Sequence, residues 1–347
     1  MKNVRFDNSG SVPRFLYEDV SGKDDWIEYK PCTEGLWKNL DKNDFSVELL
    51  INPLLNKARH IYNIKKDDGS TSRVGMVFPV SALDTEYGFE EKGASNYALM
   101  AFQILLERLL DVKDAEADFS DNFEENICVC VLNLKALGLQ NPLHLCINSL
   151  RKYGYCYFEE GNEIKVAEGY KEEGYIKSGQ KSLEVRFEEP KLYQKPLIDL
   201  MLRSLPRAHN VVHRFVLLYQ IIETMMEEVA LRKINEEIGK LQGRTIPHND
   251  FLDNLKKFGQ EKERIREIFS VCQLTEDEFE YFKDPCKRLF ALAKYNPDNV
   301  SEKPMRFYAF RNQMTHTFRD FHAYPEEVAE TVQGFEKVVL TILEKYE

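Results

Sequence analysis

Two kinds of hydrophobic spacing divide this chain. In its first part the apolar positions form short runs rich in β-branched and aromatic residues, at 45–51 (Phe-Ser-Val-Glu-Leu-Leu-Ile), 74–80, 127–134, 143–148, 154–158, 163–167 and 183–188. Turn-forming residues separate them, among them Lys66-Asp67-Asp68-Gly69-Ser70 and Glu160-Gly161-Asn162, and the pattern predicts strands. Tyr155–Phe158 and Ile164–Val166 read as a hairpin across Gly161. One helix interrupts these strands, from Tyr97 to Leu110, with Leu99, Met100, Ile104, Leu105 and Leu109 at helical spacing. The economical reading is an α+β N-terminal domain with a largely antiparallel sheet.

From Leu197 onward the spacing becomes helical. Residues 208–239 carry Val212, Phe215, Tyr219, Ile222, Met226 and Val229 at steps of three and four, with Gly239 as the expected stop. Further helices are predicted over 248–258, 261–271, 275–294, 303–321 and 325–346. Thr275-Glu276-Asp277-Glu278 has the form of a capping box, and Pro325 followed by Glu326 and Glu327 suits a first helical turn. The chain therefore divides into an α+β domain, 1–205, and an all-α helical bundle, 206–347, with the boundary near Pro206.

Composition narrows the possible functions. A chain of 347 residues that is 43% hydrophobic and 12% aromatic can bury two ordinary cores. No window approaches eighteen uninterrupted apolar residues, and Met1-Lys2-Asn3-Val4-Arg5 lacks the apolar stretch of a signal peptide, so a cytoplasmic protein without membrane partners is expected. The cysteines are odd in number at seven, and most sit in apolar runs such as Ile127-Cys128-Val129-Cys130, which reads as reduced core residues. Neither a structural zinc nor any other metal or cofactor is expected. The net charge of −11 argues against a broad basic face for nucleic acid. Lys plus Arg against Asp plus Glu is 26 against 34 over 1–205 and 21 against 24 over 206–347, so the second part is close to neutral and has room for a small basic cleft.

The chemistry concentrates in Arg311-Asn312-Gln313-Met314-Thr315-His316. A neutral imidazole can take a proton from a ribose 2′-hydroxyl or return one to a leaving 5′-oxygen, and a guanidinium can hold the phosphate whose charge builds in the transition state. On a helix over 303–321, Phe307, Phe310, Met314, Phe318 and Phe321 would share the buried face. Tyr308, Asn312 and His316 would form a stripe away from it, with Arg319 one turn further and Arg311 beside it. Arg203 with His209 and Arg207 with His213 carry a loosely similar spacing without the asparagine.

The segment 305–316 resembles the R-N-x-x-x-H signature of HEPN domains, and so does its setting between a long first helix, 208–239, and a closing helix, 325–346. The resemblance covers residues 206–347. It implies a metal-independent endoribonuclease of the toxin, anti-phage defence or RNA-processing type. Two copies of the motif would meet across a homodimer formed by the helical domain. It assigns proton transfer to His316, phosphate binding to Arg311 and orientation of His316 or the phosphate to Asn312. The chemistry separately favours pairing, because cleavage needs a base on one side and an acid on the other, and a symmetric dimer supplies both.

Weaker candidates surround the motif. Tyr308, Arg319 and Glu223 are possible supporting residues, with Glu227 and His322 beside them. Trp26, Tyr29 and Trp37 are able to stack on bases, although a core or partner-contact role suits an acidic domain better. No phosphate loop, H-E-x-x-H, G-x-S-x-G or paired-carboxylate cluster is present, which removes support from NTPase, zinc-peptidase, serine-hydrolase and two-metal nuclease readings. RNA is the expected substrate, and the N-terminal domain is expected to meet a regulatory partner, sense a trigger or select the RNA. The rival is a non-catalytic helical module for dimerisation, RNA binding or sensing.

Overall fold

The computed structural model describes residues 4–7, 14–18, 24–28, 41–84, 89, 91, 93–109, 119–158, 164, 166–188, 196–297 and 300–346. The chain forms two compact units, Met1–Ile164 with Lys177–Glu188, and Lys165–Ile176 with Glu189–Glu347.

The first unit holds two sheets. Strands β1 (Val4–Asp7), β2 (Arg14–Glu18) and β3 (Asp24–Glu28) form an antiparallel meander. Strands β4 (Phe45–Ile51), β5 (Tyr62–Lys66), β6 (Arg73–Pro79), β7 (Ile127–Asn133), β8 (Cys156–Tyr157) and β9 (Ser182–Val185) form a mixed sheet in the order β8-β4-β7-β6-β5-β9. Every pairing in it is antiparallel except β5 with β9 at one edge. The β5–β6 turn closes with Gly69 at φ 78 and the Ser70 amide donating to Asp68. Central β7 is buried on both faces, as its unbroken apolar run requires. Ile127, Val129 and Val131 pack with Met76, Phe78 and Phe102 under helix α1 (Ala94–Leu109). Turned the other way, Cys128 and Cys130 are fully buried.

Several expectations for this unit change. Residues 143–148 belong to a helix, not a strand, because Leu143, Cys146, Ile147 and Leu150 recur with helical period and all four are buried. It is α3 (Leu143–Arg151), which follows the single turn α2 (Leu134–Leu137). The turn of the hairpin expected across Gly161 lies outside the described residues, and Cys156 and Tyr157 pair with Ile51 and Leu50 of β4. Ile164, Val166 and Ala167 are not in a strand, and just beyond them, within the helical unit, the Glu168 amide donates to the His209 carbonyl. The strand expected over 183–188 is shorter, and β1, β2, β3 and β5 were not foreseen. Of the described cysteines, Cys156 is half-buried and the other five are buried and unpaired. Cys32, Tyr29 and Trp37 lie outside the described residues, and Trp26 is in β3.

The second unit is helical: α4 (Glu172–Tyr175), α5 (Pro196–Ser204), α6 (Val211–Gln242), α7 (His248–Phe258), α8 (Glu261–Cys272), α9 (Glu276–Leu292), α10 (Lys303–His316) and α11 (Pro325–Lys345). The capping box on α9 and the Pro325 start of α11 stand as expected. Rings of Phe215, Phe282, Phe307, Phe310 and Phe335 meet at the centre, the closest being Phe307 on Phe335 at 4.4 Å. Beside them the buried Arg214 guanidinium forms a two-pronged pair with Glu336 at 2.6 and 2.9 Å, and the Tyr170 hydroxyl donates to the same carboxylate. Among the described residues no helix is long and apolar enough to cross a membrane.

Two helix ends differ from expectation. Helix α6 runs through Gly239 to Gln242 and is capped by Gly243. Its last turns are held by α7, whose Asn254 donates to the buried Glu237 at 2.7 Å. Helix α10 stops at His316, and residues 318–320 form a 3-10 turn instead. Eleven residues of straight helix would carry Phe321 about 16 Å from Phe310. The chain doubles back instead, and the two rings lie 6.3 Å apart in the core.

Candidate functional site

Helix α10 is positioned by its apolar face. Met305, Phe307, Phe310 and Met314 are buried, and Phe310 meets Phe215 of α6 edge-on at 5.8 Å. Phe215 in turn stacks on Tyr219, with ring centroids 6.1 Å apart, which carries the aromatic core outward to the residue after Phe310. That residue is Arg311. Its guanidinium carbon lies 4.4 Å from the centre of the Tyr219 ring.

Three side chains surround this guanidinium. Arg311 Nη1 donates to Asn312 Oδ1 at 2.8 Å, and Nη2 donates to the Tyr219 hydroxyl and lies 2.9 Å from Glu261 Oε1. Tyr219 then donates its own proton to Glu261 at 2.7 Å, closing a ring of three side chains from α6, α8 and α10. Burial, followed by the hydrogen bond to Glu261, pushes the Tyr219 hydroxyl well above its ordinary pKa. Tyr219 therefore stays protonated and acts as a donor to the carboxylate. The Arg311 side chain is only 13% exposed, and its Nε is buried without a hydrogen-bond partner.

His316 occupies the last position of α10 and is exposed, one turn beyond the half-buried Asn312, so the two share a side of the helix. Tyr308 is half-buried one turn before Asn312. The sequence motif thus becomes a buried arginine, a carboxamide that grips it, and a solvent-facing imidazole about 6 Å further along the axis.

The outlying candidates are placed elsewhere. Arg319 is not on the α10 stripe, because the helix has ended; its side chain is 89% exposed and pairs with Asp320 next to it at 3.6 Å. Glu223 and Glu227 are exposed on α6 beyond Tyr219, and His322 is exposed after the 3-10 turn. The acid that meets Arg311 is Glu261 instead. Arg203 pairs with Asp199 on α5, and His213 is exposed at the start of α6. Among the described residues no three His, Cys, Asp or Glu side chains are gathered so as to hold a metal ion.

Sequence reasoning missed Tyr219 and Glu261. Tyr219 sits at helical spacing among apolar neighbours and reads as core, which its ring is; only its hydroxyl leaves the core. Glu261 is the first residue of α8 after Gly259 and Gln260, and nothing in its local pattern points to a residue fifty positions later. No protein-family model, curated protein or solved structure matches this chain.

Proposed function

We propose that the helical unit is a HEPN-like, metal-independent endoribonuclease acting as a homodimer, an effector of the toxin or anti-phage type. The observation that carries the reading is the Arg311–Asn312 hydrogen bond on α10 with an exposed His316 one turn later. In this reading His316 takes the 2′-hydroxyl proton, the 2′-oxygen attacks phosphorus, and His316 of a second copy returns a proton to the departing 5′-oxygen. Arg311 balances the charge that builds on the phosphate, and Asn312 aims its guanidinium. The products are a 2′,3′-cyclic phosphate and a 5′-hydroxyl. The N-terminal unit would regulate this activity, sense a trigger or select the RNA.

The test is cleavage of single-stranded RNA by the purified full chain in EDTA. Activity that His316→Ala abolishes, with cyclic-phosphate termini and a dimeric solution mass, supports the reading; equal activity in that variant would falsify it. A second reading, a non-catalytic dimerisation, RNA-binding or sensor module, draws on the burial of Arg311 and the engagement of its terminal nitrogens by Asn312, Tyr219 and Glu261. RNA retention without cleavage by the wild-type dimer favours it.

A further inference from the structure

We propose that Glu261 is a built-in latch on Arg311, a carboxylate held where an incoming phosphate has to pair, so that the site binds its anion only when Glu261 swings away. The inference rests on the ribonuclease reading only for the identity of that anion.

Three observations converge on it. Arg311 and Glu261 cancel each other's charge at 2.9 Å with side chains 13% and 26% exposed, so an arriving phosphate meets a neutral pair instead of a free cation. Tyr219 donates a hydrogen bond from its hydroxyl to the same carboxylate oxygen, which locks Glu261 in the occupied position. The buried Arg311 Nε, meanwhile, has no partner, so this guanidinium still has a donor unused. An uncovered Arg311 offers phosphate this further donor, since a guanidinium presents its donors as a fork matched to two oxygens of one anion.

Glu261 also has somewhere else to go. It is the first residue of α8, and Gln260 at the cap makes no side-chain hydrogen bond to that turn. The positive end of the helix offers a released carboxylate an alternative place at low cost.

The latch predicts signs opposite to those of a mere support. If Glu261 and Tyr219 only steady Arg311, weakening either lowers anion binding. If they latch it, weakening either raises binding. Full-length protein is therefore titrated with a single-stranded RNA bearing 2′-O-methyl groups, which cannot be cleaved by 2′-hydroxyl attack. E261Q, which keeps the side-chain shape and loses the charge, is expected to bind about tenfold tighter than wild type, the scale of one relieved charge-assisted pair. Y219F, which keeps the ring beneath Arg311 and removes the donor to Glu261, moves in the same direction by less. Adding R311K to E261Q removes the gain. Equal or weaker binding by E261Q with an unchanged melting curve overturns the latch.

A second arm separates this result from the fate of the ribonuclease reading. Inorganic phosphate is titrated while the Arg311 Nε–H resonance is followed in 15N-arginine protein, assigned by its loss in R311K. If RNA binds none of the variants but phosphate moves the resonance in E261Q and not in wild type, the latch stands and the RNA reading falls. If RNA binds none and phosphate moves the resonance in neither protein, or in both alike, the latch is overturned.

Discussion

Tyr219 engages Arg311 twice, through its ring 4.4 Å from the guanidinium carbon and through its hydroxyl, which accepts from the same guanidinium. Because Tyr219 also stacks on Phe215 of the central aromatic cluster, the site arginine is built outward from the core. Tyr219→Leu keeps an apolar side chain but removes the ring face, the acceptor for Arg311 and the donor to Glu261. It should destabilise the helical unit by about 2–3 kcal/mol, read as a lower urea midpoint, because a core aromatic and two half-buried hydrogen bonds go together. A loss within about 0.5 kcal/mol means that the three-way contact is not formed in solution.

Ion pairs in this chain differ in weight according to burial. Arg214 and Glu336 pair with side chains 7% and 4% exposed, whereas Arg203 and Asp199 pair at 68% and 46%. Glu336→Ala strands a guanidinium in the core and removes the acceptor for Tyr170, so a cost of about 3–5 kcal/mol is expected. Asp199→Ala should stay within about 0.5 kcal/mol. Denaturant titration of the two variants side by side checks the ranking, and equal effects refute it.

Legibility in the sequence followed the length of the periodic signal. The spans 248–258 and 325–346 and the capping box at Thr275 carry local signals strong enough to survive packing. The same is true of the six-residue apolar run 127–132 in β7. At 143–148 the failure was local, a helical period read as a strand, whereas elsewhere a distant contact decides: α10 stops at His316 because Phe321 returns to the core, and Cys156 pairs at the edge of β4. Arg311, Asn312 and His316 were readable as a local motif. Tyr219 and Glu261, 92 and 50 positions from Arg311, were not, because only the packing of α6 and α8 on α10 brings them there.

Two helical glycines should respond in opposite ways to alanine. A Cβ on Gly334 of α11 would lie 2.2 Å from the Tyr281 carbonyl oxygen and 2.8 Å from Phe282 Cα, both backbone atoms of α9 that cannot rotate away. Gly334→Ala must push these two helices apart, costing about 3 kcal/mol or more. Gly239 has nothing within 4 Å of its Cβ position and lies inside α6. Gly239→Ala should stabilise by about 0.5–1 kcal/mol, the helix-propensity gain. Thermal melts of both variants test the pair, and the prediction fails if Gly334→Ala melts with the wild type.

The α9 cap should carry a pH signature. Glu278 receives hydrogen bonds from the Thr275 amide and Lys345, and although burial opposes ionisation, Lys345 and Thr275 hold its carboxyl below the ordinary range. A carboxyl depressed by folding stabilises the protein fully above its unfolded pKa, about 4.3. That contribution is lost as pH falls through the lower folded value. Glu278→Gln should therefore melt below wild type at pH 7, by an amount worth about 1 kcal/mol, and the gap should close toward pH 3. A gap of constant size from pH 7 to pH 3 contradicts the assignment.

Arginine geometry at position 311 matters more than its charge if the proposed cleavage is right. The guanidinium reaches Asn312 with one terminal nitrogen and Tyr219 and Glu261 with the other, a fork that an ammonium cannot reproduce. Arg311→Lys should keep the local charge yet lower RNA cleavage by about a hundredfold, the scale of losing one preorganised contact to the phosphate. Asn312→Ala leaves the arginine in place and removes the acceptor that aims it, so a smaller loss, about tenfold, is expected with the melting temperature unchanged. The comparison is made on kcat, at saturating RNA, so that weaker binding does not masquerade as slower chemistry. Full activity in Arg311→Lys would show that the phosphate is held elsewhere, and Arg311 would then be a structural residue tying α10 to α6 and α8.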